Sequence, residues 1–579
     1  MQIPIHLGLF PRVLLGCCLL ASVSFPVLGG TWTPDPSLGN VDQHRHLYDI
    51  GRAYGDLNFD PDANLVGTHS KKPPNKKQHS TRESTYYAYA LLLTGDPADR
   101  ARAQAILKRV VTLQDTKPGS PTYGAYNWNA EDPPGDLNSA AFIGLTLVDI
   151  IDLDRRRPCL DPDVRSQVEK SGRLAVDAVM RRNVNPGYTN ISLLSIALAA
   201  AGEKLWKIPG AGAWAQAKLD ALMTLADDGE FAEYLSPTYT GVALQGAYMA
   251  KKFAFSDAFA AKADAAINHL WKQVALSYHA PTYQLGGPYC RAYGDNMLDY
   301  CAVLKYFLYL ALDGAYPIPD AQFEHDWDMG GVASIADLPI AARPEFKQPP
   351  VPWRQWTAVG SPGSDVGSDN TLVRHLSQYK DGNFTLGTIA YQDEWKQKRN
   401  LVAFWRNPGP PPLGMSVGFC IDESNEWEAL PGFAGEKLHF YSQQMKGAAL
   451  VAIVASTDVP GQGHTTLVFD DGAVVPDTSG AAPLVITDGS MTAYLYPVST
   501  GTPSFVNLPD AAHHVTRVTR SWNSSDVVGD LHVMSYLIVF RPTGQPPPSV
   551  SGLALNADAN GVTASAQVDG SPLSVSFKN

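Results

Sequence analysis

The chain predicts an α+β multidomain protein, an N-terminal (α/α) helical toroid followed by an antiparallel β-sandwich. Three observations carry that expectation. From about residue 40 to 315, apolar residues recur at helical spacing in stretch after stretch, joined by short loops rich in Gly, Pro or Asn. A proline-rich passage at 336–354, ADLPIAARPEFKQPPVPWR, then breaks the pattern and reads as an extended linker. Beyond it the period changes to strand-like runs separated by Gly, Asp and Pro. A length of 579 residues accommodates two or three such units, each with its own core.

Taken in order, residues 1–30 read as a secretory signal: Arg12 precedes the apolar run Val13 to Val27, and Leu28-Gly29-Gly30 supplies small residues for cleavage. A mature chain starting near Thr31 is expected to be secreted or periplasmic. No later apolar run approaches the ~20 residues of a membrane span, so no membrane contact is expected after signal cleavage. The toroid is expected over 31–335. Asp96-Pro97 opens one of its helices, with Pro at the first helical position, and Ala103, Ile106, Leu107, Val110 and Leu113 share a face. Comparable stretches lie near 82–94, 138–152, 162–182, 189–203, 211–227, 239–253, 256–277 and 294–312. Successive helices on short connections pack as antiparallel pairs, and no fixed-period repeat marks a standard solenoid. The sandwich is expected over 355–545, on strands such as Phe384–Tyr391, Leu401–Trp405, Ala448–Val454 and Leu531–Phe540. Residues 546–579 form a β-like tail that either adds strands to the sandwich or remains mobile.

Composition narrows the partners. A net charge of −12 argues against nucleic acid, which needs a cationic face. An anionic substrate stays possible where arginines cluster in one cleft. Outside the signal, Cys159, Cys290, Cys301 and Cys420 are too few for a disulfide scaffold; Cys290 and Cys301 are the nearest pair, with free buried thiols as the alternative. No Cys-x-x-Cys, His-Glu-x-x-His or calcium-loop pattern occurs, so no metal and no cofactor are expected.

The chemistry-bearing segment is 227–239, DDGEFAEYLSPTY, a polar turn that delivers Glu233 and Tyr239 to a helix start. Tyr188-Thr189-Asn190 occupies a similar place one helical pair earlier. Asp228-Gly229, Glu233, Ser236-Pro237 and Tyr239, set in a toroid followed by a β domain, resemble the heparinase II/III-like and alginate-lyase-like polysaccharide lyases. In that family an Asn at a toroid helix start helps to neutralise a uronate carboxylate, and Thr189-Asn190-Ile191 is the counterpart. The chain departs from the family where His would follow the Asn, because Ile191 stands there, and its β domain lacks the Gly-x-His-x-His string. The resemblance implies β-elimination: a C5 proton is removed while donors stabilise the enolate-like transition state. Tyr239 would transfer the proton and Asn190 and Arg291 would neutralise the carboxylate. An ordinary phenol near pKa ~10 is a poor base at neutral pH, and a nearby Arg would lower it. The loop GGPYCRAYGD at 286–295 supplies Arg291 and Tyr293.

Each residue also has a structural reading. Tyr239 can pack at a helix start, Asn190 can cap one, and Arg291 can pair with Asp295. Asn190, Asn383 and Asn523 head glycosylation sequons, and a glycan on Asn190 would preclude its role. Trp128, with Tyr123, Tyr126, Asp136 and Asn138 nearby, offers a sugar-stacking platform and polar contacts. Glu233, Tyr188, Tyr293 and Arg399 complete the substrate-binding candidates, Arg399 leaning over the cleft with Trp395, Lys396 and Lys398. His375 is the first choice for a helper acid or base, ahead of His79, His279 and His464. The leading expectation is a lyase acting on an acidic polysaccharide. A glycoside hydrolase using Glu233 with Asp136 or Asp295 is the alternative, and a non-catalytic glycan-binding protein is the third.

Overall fold

The computed structural model describes residues 30–69, 77–293, 297, 302–318, 331–359, 373–393, 398–406, 417–422, 438–457, 463–470, 483–498, 505–510, 515–522 and 527–578. All but the last residue of the expected signal, together with Asp295, Cys301, Trp395, Lys396 and the Asn523 sequon, lie outside them.

Eleven helices are found among the described residues: α1 (Val41–Asn58), α2 (Thr81–Thr94), α3 (Pro97–Val111), α4 (Asn138–Arg156), α5 (Pro162–Arg182), α6 (Thr189–Trp206), α7 (Ala211–Asp228), α8 (Tyr239–Lys252), α9 (Asp257–Ser277), α10 (Leu304–Ala311) and α11 (Val332–Ala336). Proline at the first position with Asp before it starts both α3 and α5. The Asp96 carboxylate caps α3 by accepting the N–H groups of Ala98 and Asp99. Hairpin neighbours pack as α2 with α3, α4 with α5, α6 with α7 and α8 with α9, while α2, α4, α6, α8 and α10 contact in sequence and α1 and α11 close the ring. This is the (α/α) toroid.

Burial separates the two rings. Every residue of α6 from Thr189 to Gly202 is buried, as expected of an inner helix covered on all sides. Outer α5 buries only a stripe, including Val164, Val168, Ala175 and Val179, and gives its other face to solvent. At Gly246 of α8 a Cβ would stand 2.8 Å from the backbone of Leu193 and Leu194, so the α6–α8 approach requires glycine there.

The β part holds two large antiparallel sheets. In one, the strands run in the order 505–510, 515–522, 463–470, 417–422, 401–405, 384–389, 373–380, 353–359; in the other, 484–488, 491–497, 531–542, 448–456, 438–445, 391–393, with 527–528 beside 531–542. Strand Leu531–Pro542 shows how one sequence serves two cores. Met534, Tyr536, Ile538 and Phe540 point into the core shared with the rest of the protein, whereas Val533, Leu537 and Val539 point the opposite way. That second face is covered by a three-stranded sheet, Val550–Asp558, Gly561–Val568 and Ser571–Phe577, through Val562, Ala564, Leu573, Val575 and Phe577. The C-terminal tail is therefore an ordered third layer.

Two features differ from the sequence expectation. A small sheet of Phe59–Asp60, Leu65–His69 and Lys77–Ser80 interrupts the helical region between α1 and α2. The proline-rich passage is not a free spacer, because Phe346 packs edge-on against both Trp271 and Tyr278 of the toroid. Cys159 and Cys290 are buried free thiols. No helix among the described residues is long and apolar enough to cross a membrane.

The toroid and the sandwich are joined by main chain. Glu230 N–H donates to Thr357 O at 2.8 Å and Val359 N–H to Glu230 O at 3.0 Å. Tyr289 and Arg399 exchange both backbone hydrogen bonds at 2.9 Å. Gly387 lies so near Gly286 that a Cβ would fall 2.2 Å from its carbonyl oxygen. The loops that follow α7 and α9 are therefore braced by strands far away in sequence.

Candidate functional site

Inner helices α2, α4, α6 and α8 all begin at one cleft of about 420 Å³, lined by Ser80, Arg82, Glu83, Trp128, Asp136, Asn138, Tyr188, Ile191, Thr238, Tyr239 and Tyr293 among others. Four helix N-termini aimed at one space favour negative charge there. Their first N–H groups are capped from the protein itself. Asp136 Oδ1 accepts from Asn138 N–H at 2.8 Å and Glu233 Oε2 from Asn190 N–H at 2.8 Å, so carboxylates serve α4 and α6. Neutral hydroxyls serve the other two, with Ser80 Oγ accepting from Glu83 N–H at 3.2 Å and Ser236 Oγ from Tyr239 N–H at 2.9 Å.

Beneath the cleft lies a buried knot. Asn190 Nδ2 donates to both oxygens of Glu233, at 2.9 and 2.7 Å, and Arg291 Nη1 donates to Glu233 Oε1 at 2.7 Å. Asn190 is fully buried, and its Oδ1 has no hydrogen-bond partner among the described residues. Above the knot, the Arg291 guanidinium lies 3.9 Å from the ring centroid of Tyr239 and 5.5 Å from that of Tyr188. Burial alone would lower the Arg291 pKa, but Glu233 and the two phenols hold it raised. Tyr239 in turn meets Tyr293 hydroxyl to hydroxyl at 2.6 Å. Burial pushes Tyr239 well above the ordinary phenol range, and the opposing pull of Arg291 does not overcome it. The expectation that Arg291 leaves Tyr239 more acidic than an ordinary phenol is thus corrected: the guanidinium sits on the ring face and its charge is shared with Glu233.

The sugar-contact candidates are organised by hydrogen bonds. Trp128 Nε1 donates to Asp136 Oδ2 at 3.0 Å, which fixes the indole, and its ring meets Phe142 edge-on at 5.7 Å. Asn138 Nδ2 reaches the Tyr188 hydroxyl at 3.4 Å, while Arg182 donates to Asn138 Oδ1. Trp128, Asn138, Tyr188, Tyr239 and Tyr293 all line the cleft.

Other candidates are not brought there. His375 is exposed on strand 373–380 and lines a separate cleft of about 450 Å³ with Trp356, Thr357, Ser377, Thr388 and Ser442. The alternation of its strand turned it away from the toroid's cleft. Arg399 is buried and donates to Lys398 O, with its backbone spent on Tyr289. Asn190, Glu233 and Arg291 are under the cleft rather than on its wall, with Glu233 held by the Asn190 amide and the Arg291 guanidinium. Asp136 is the clamp for Trp128 and the start of α4. His279 is buried at the junction, bonded to Thr282 and to Asp381 O, and His79 bridges Asp60 and Glu131. The glycan alternative at Asn190 meets a residue with no exposed surface, whereas Asn383 lies in an exposed turn.

Sequence reasoning missed Arg82 and Glu83. Arg82 is the single residue from Thr81 to Leu93 of α2 that is not buried, and its guanidinium lies over the rings of Trp128 at 5.8 Å and Phe142 at 5.7 Å. The signal was present: Ser80-Thr-Arg-Glu83 is a capping-box pattern that marks a helix start like those of α6 and α8.

Fold and site together define a helical toroid fused to a β-sandwich, with an aromatic and polar cleft at the converging helix starts. The chain belongs to the family described as a domain of unknown function, DUF8769, whose sequence model matches residues 45–337. No curated protein matches it significantly. Among solved structures the chain is similar to heparinase III, at 12% identity over 95% of this chain and 93% of that chain, with a TM-score of 0.46. It is also similar to a chondroitin AC lyase variant from Streptomyces coelicolor A3, at 11% identity over 92% and 84% with a TM-score of 0.40. A heparan sulfate lyase from Pedobacter heparinus gives 10% identity over 94% and 92% with a TM-score of 0.33.

Proposed function

We propose that the chain is a secreted polysaccharide lyase that cleaves a uronic-acid-containing glycan by β-elimination, with its chemistry in a toroid of residues 31–335 and a supporting sandwich of 355–545. The observation that carries this reading is the Tyr239–Tyr293 hydroxyl contact of 2.6 Å at a cleft that also holds Trp128. The two hydroxyls share one hydrogen bond, so a proton taken up at one can be handed to the other. The pair therefore serves as base and acid in turn. It takes the C5 proton, the C4–oxygen bond breaks as the C4–C5 double bond forms, and the leaving oxygen receives a proton. Arg291, held by Glu233 and Asn190, supplies positive charge against the Tyr239 ring and fixes its position. Trp128 gives the sugar a flat apolar surface, and Asn138 and Tyr188 bond its hydroxyls.

Hydrolysis through Glu233 is disfavoured because that carboxylate is 5% exposed and bonded by Asn190 and Arg291. The test is incubation of the mature protein with a panel of uronate polymers. Products that absorb in the ultraviolet and are lighter by one water than hydrolytic fragments are expected. Products of hydrolytic mass, or no turnover across the panel, would end the lyase proposal.

A further inference from the structure

The proposed reaction needs a group that grips the substrate's carboxylate, and Arg291 lies beneath the cleft, whereas Arg82 lines it. We infer that Arg82 is the carboxylate-recognising residue, and that the cleft takes a singly charged, unsulfated uronate; this rests on the lyase reading for its substrate class.

Three observations converge. Arg82 lines the cleft with its side chain 12% exposed, in a stretch of α2 that otherwise turns wholly into the core. Its guanidinium lies over the Trp128 ring and is held by Glu83 through Nε and Nη2, so a sugar resting on that indole would bring an equatorial carboxylate within reach of its charge. The electrostatic setting around α2 agrees. Carboxylates already answer the N-termini of α4 and α6, whereas Ser80 caps α2 with a neutral hydroxyl and the carboxylate of its first turn, Glu83, is paired with Arg82.

The charge count sets the limit. Among the described residues lining the cleft, Arg82 is the one cation and Glu83 and Asp136 are carboxylates. Glu83 pairs with Arg82 at 2.9 Å and is 1% exposed, so it holds the guanidinium in place. One carboxylate per sugar matches this arrangement. Sulfate groups would bring further negative charge against Asp136 with no second cation among the described residues of the wall to receive it, which selects against them.

The experiment is calorimetric binding of three oligosaccharides of equal length to the full chain carrying Tyr239→Phe, which slows turnover so that binding is read: an unsulfated uronate oligosaccharide, its carboxyl-reduced form and its O-sulfated form. The unsulfated acid is expected to bind at least about tenfold more tightly than either, the scale of one specific charge contact. Adding Arg82→Gln should erase the advantage over the reduced form, and Arg82→Lys should keep part of it. Arg82→Gln with Glu83→Gln, which leaves no unpaired carboxylate buried, should behave as Arg82→Gln does. An unchanged carboxylate advantage in a folded Arg82→Gln protein, equal binding of the sulfated form, or no binding of any of the three overturns the inference. Product analysis on the parent protein judges the lyase reading separately. Unsaturated products with an Arg82-indifferent carboxylate preference sink this inference alone, and Arg82-dependent binding without unsaturated products sinks the lyase reading alone.

Discussion

The toroid's cleft and the sandwich's cleft are nearly equal in volume, about 420 and 450 Å³, and differ in almost everything else. The first gathers phenols, an indole, a guanidinium and two carboxylates from four helix starts and neighbouring loops, over a buried Asn–Glu–Arg knot. The second is walled by hydroxyls, amides, Trp356 and the exposed His375 on sheet strands. Clefts of nearly equal volume hold different chemistry. What separates the two is convergence of groups whose charge and proton affinity are altered by burial and by each other.

The sharpest way to break the comparison is Tyr239→Phe. It removes the hydroxyl and keeps the ring that stacks on Arg291, so turnover should fall by roughly 10²–10⁴-fold while the thermal transition barely moves. Steady-state assays beside a melting curve check both halves. Next in size is Glu233→Ala, which strands the Arg291 charge in a buried place and should cost about 3–5 kcal/mol in urea unfolding. If the loss is below about 1 kcal/mol, Arg291 has found water, and the knot does not support the cleft.

A smaller effect belongs to the junction between the two clefts, where Lys380 donates to Leu276 O and Tyr278 O. Burial, helped by nearby Arg354, lowers its pKa to about 8. The unfolded chain holds that proton up to a pKa of ~10.4, so between about 8 and ~10.4 the folded state binds fewer protons and this group's contribution to stability rises with pH. Relative to Lys380→Met, the parent protein should gain on the order of 1–3 kcal/mol across that window, and below pH 8 the difference should be flat. Denaturant midpoints at a series of pH values read this directly; a parallel pair of curves would mean that Lys380 keeps its proton. The smallest effect is expected from His375→Ala, within about twofold in turnover, because the imidazole belongs to the other cleft. A loss beyond tenfold would return His375 to the chemistry and erase the contrast.

How much of this was legible depended on the range of the forces involved. Helix starts at Asp96-Pro97 and Asp161-Pro162 are local in sequence, and the helical stretches inferred from spacing fall on α2 to α9. The small sheet before α2 was not legible, since two- to five-residue strands carry little periodicity. Tyr239, Tyr188 and Trp128 were readable as helix-start and loop aromatics, and they line the cleft. His375 was misplaced because a strand's facing depends on register, and one residue of slip reverses it. Arg82 was overlooked for the opposite reason: one arginine in a helix's first turn looks like any solvated charge until the surrounding ring of helices exists. The Asn190–Glu233–Arg291 knot lay between these cases, its members recognised but its internal satisfaction visible only once distant loops met.

The backbone seam between the two halves has a consequence for anyone who would divide the protein. Glu233 and Arg291 ride on loops anchored to Thr357, Val359 and Arg399. A truncated helical ring ending before residue 353 could keep its apolar interior and still lack the scaffolding that aims these side chains. Swapping sandwiches between relatives would then retune the chemistry of a toroid whose own residues had not changed.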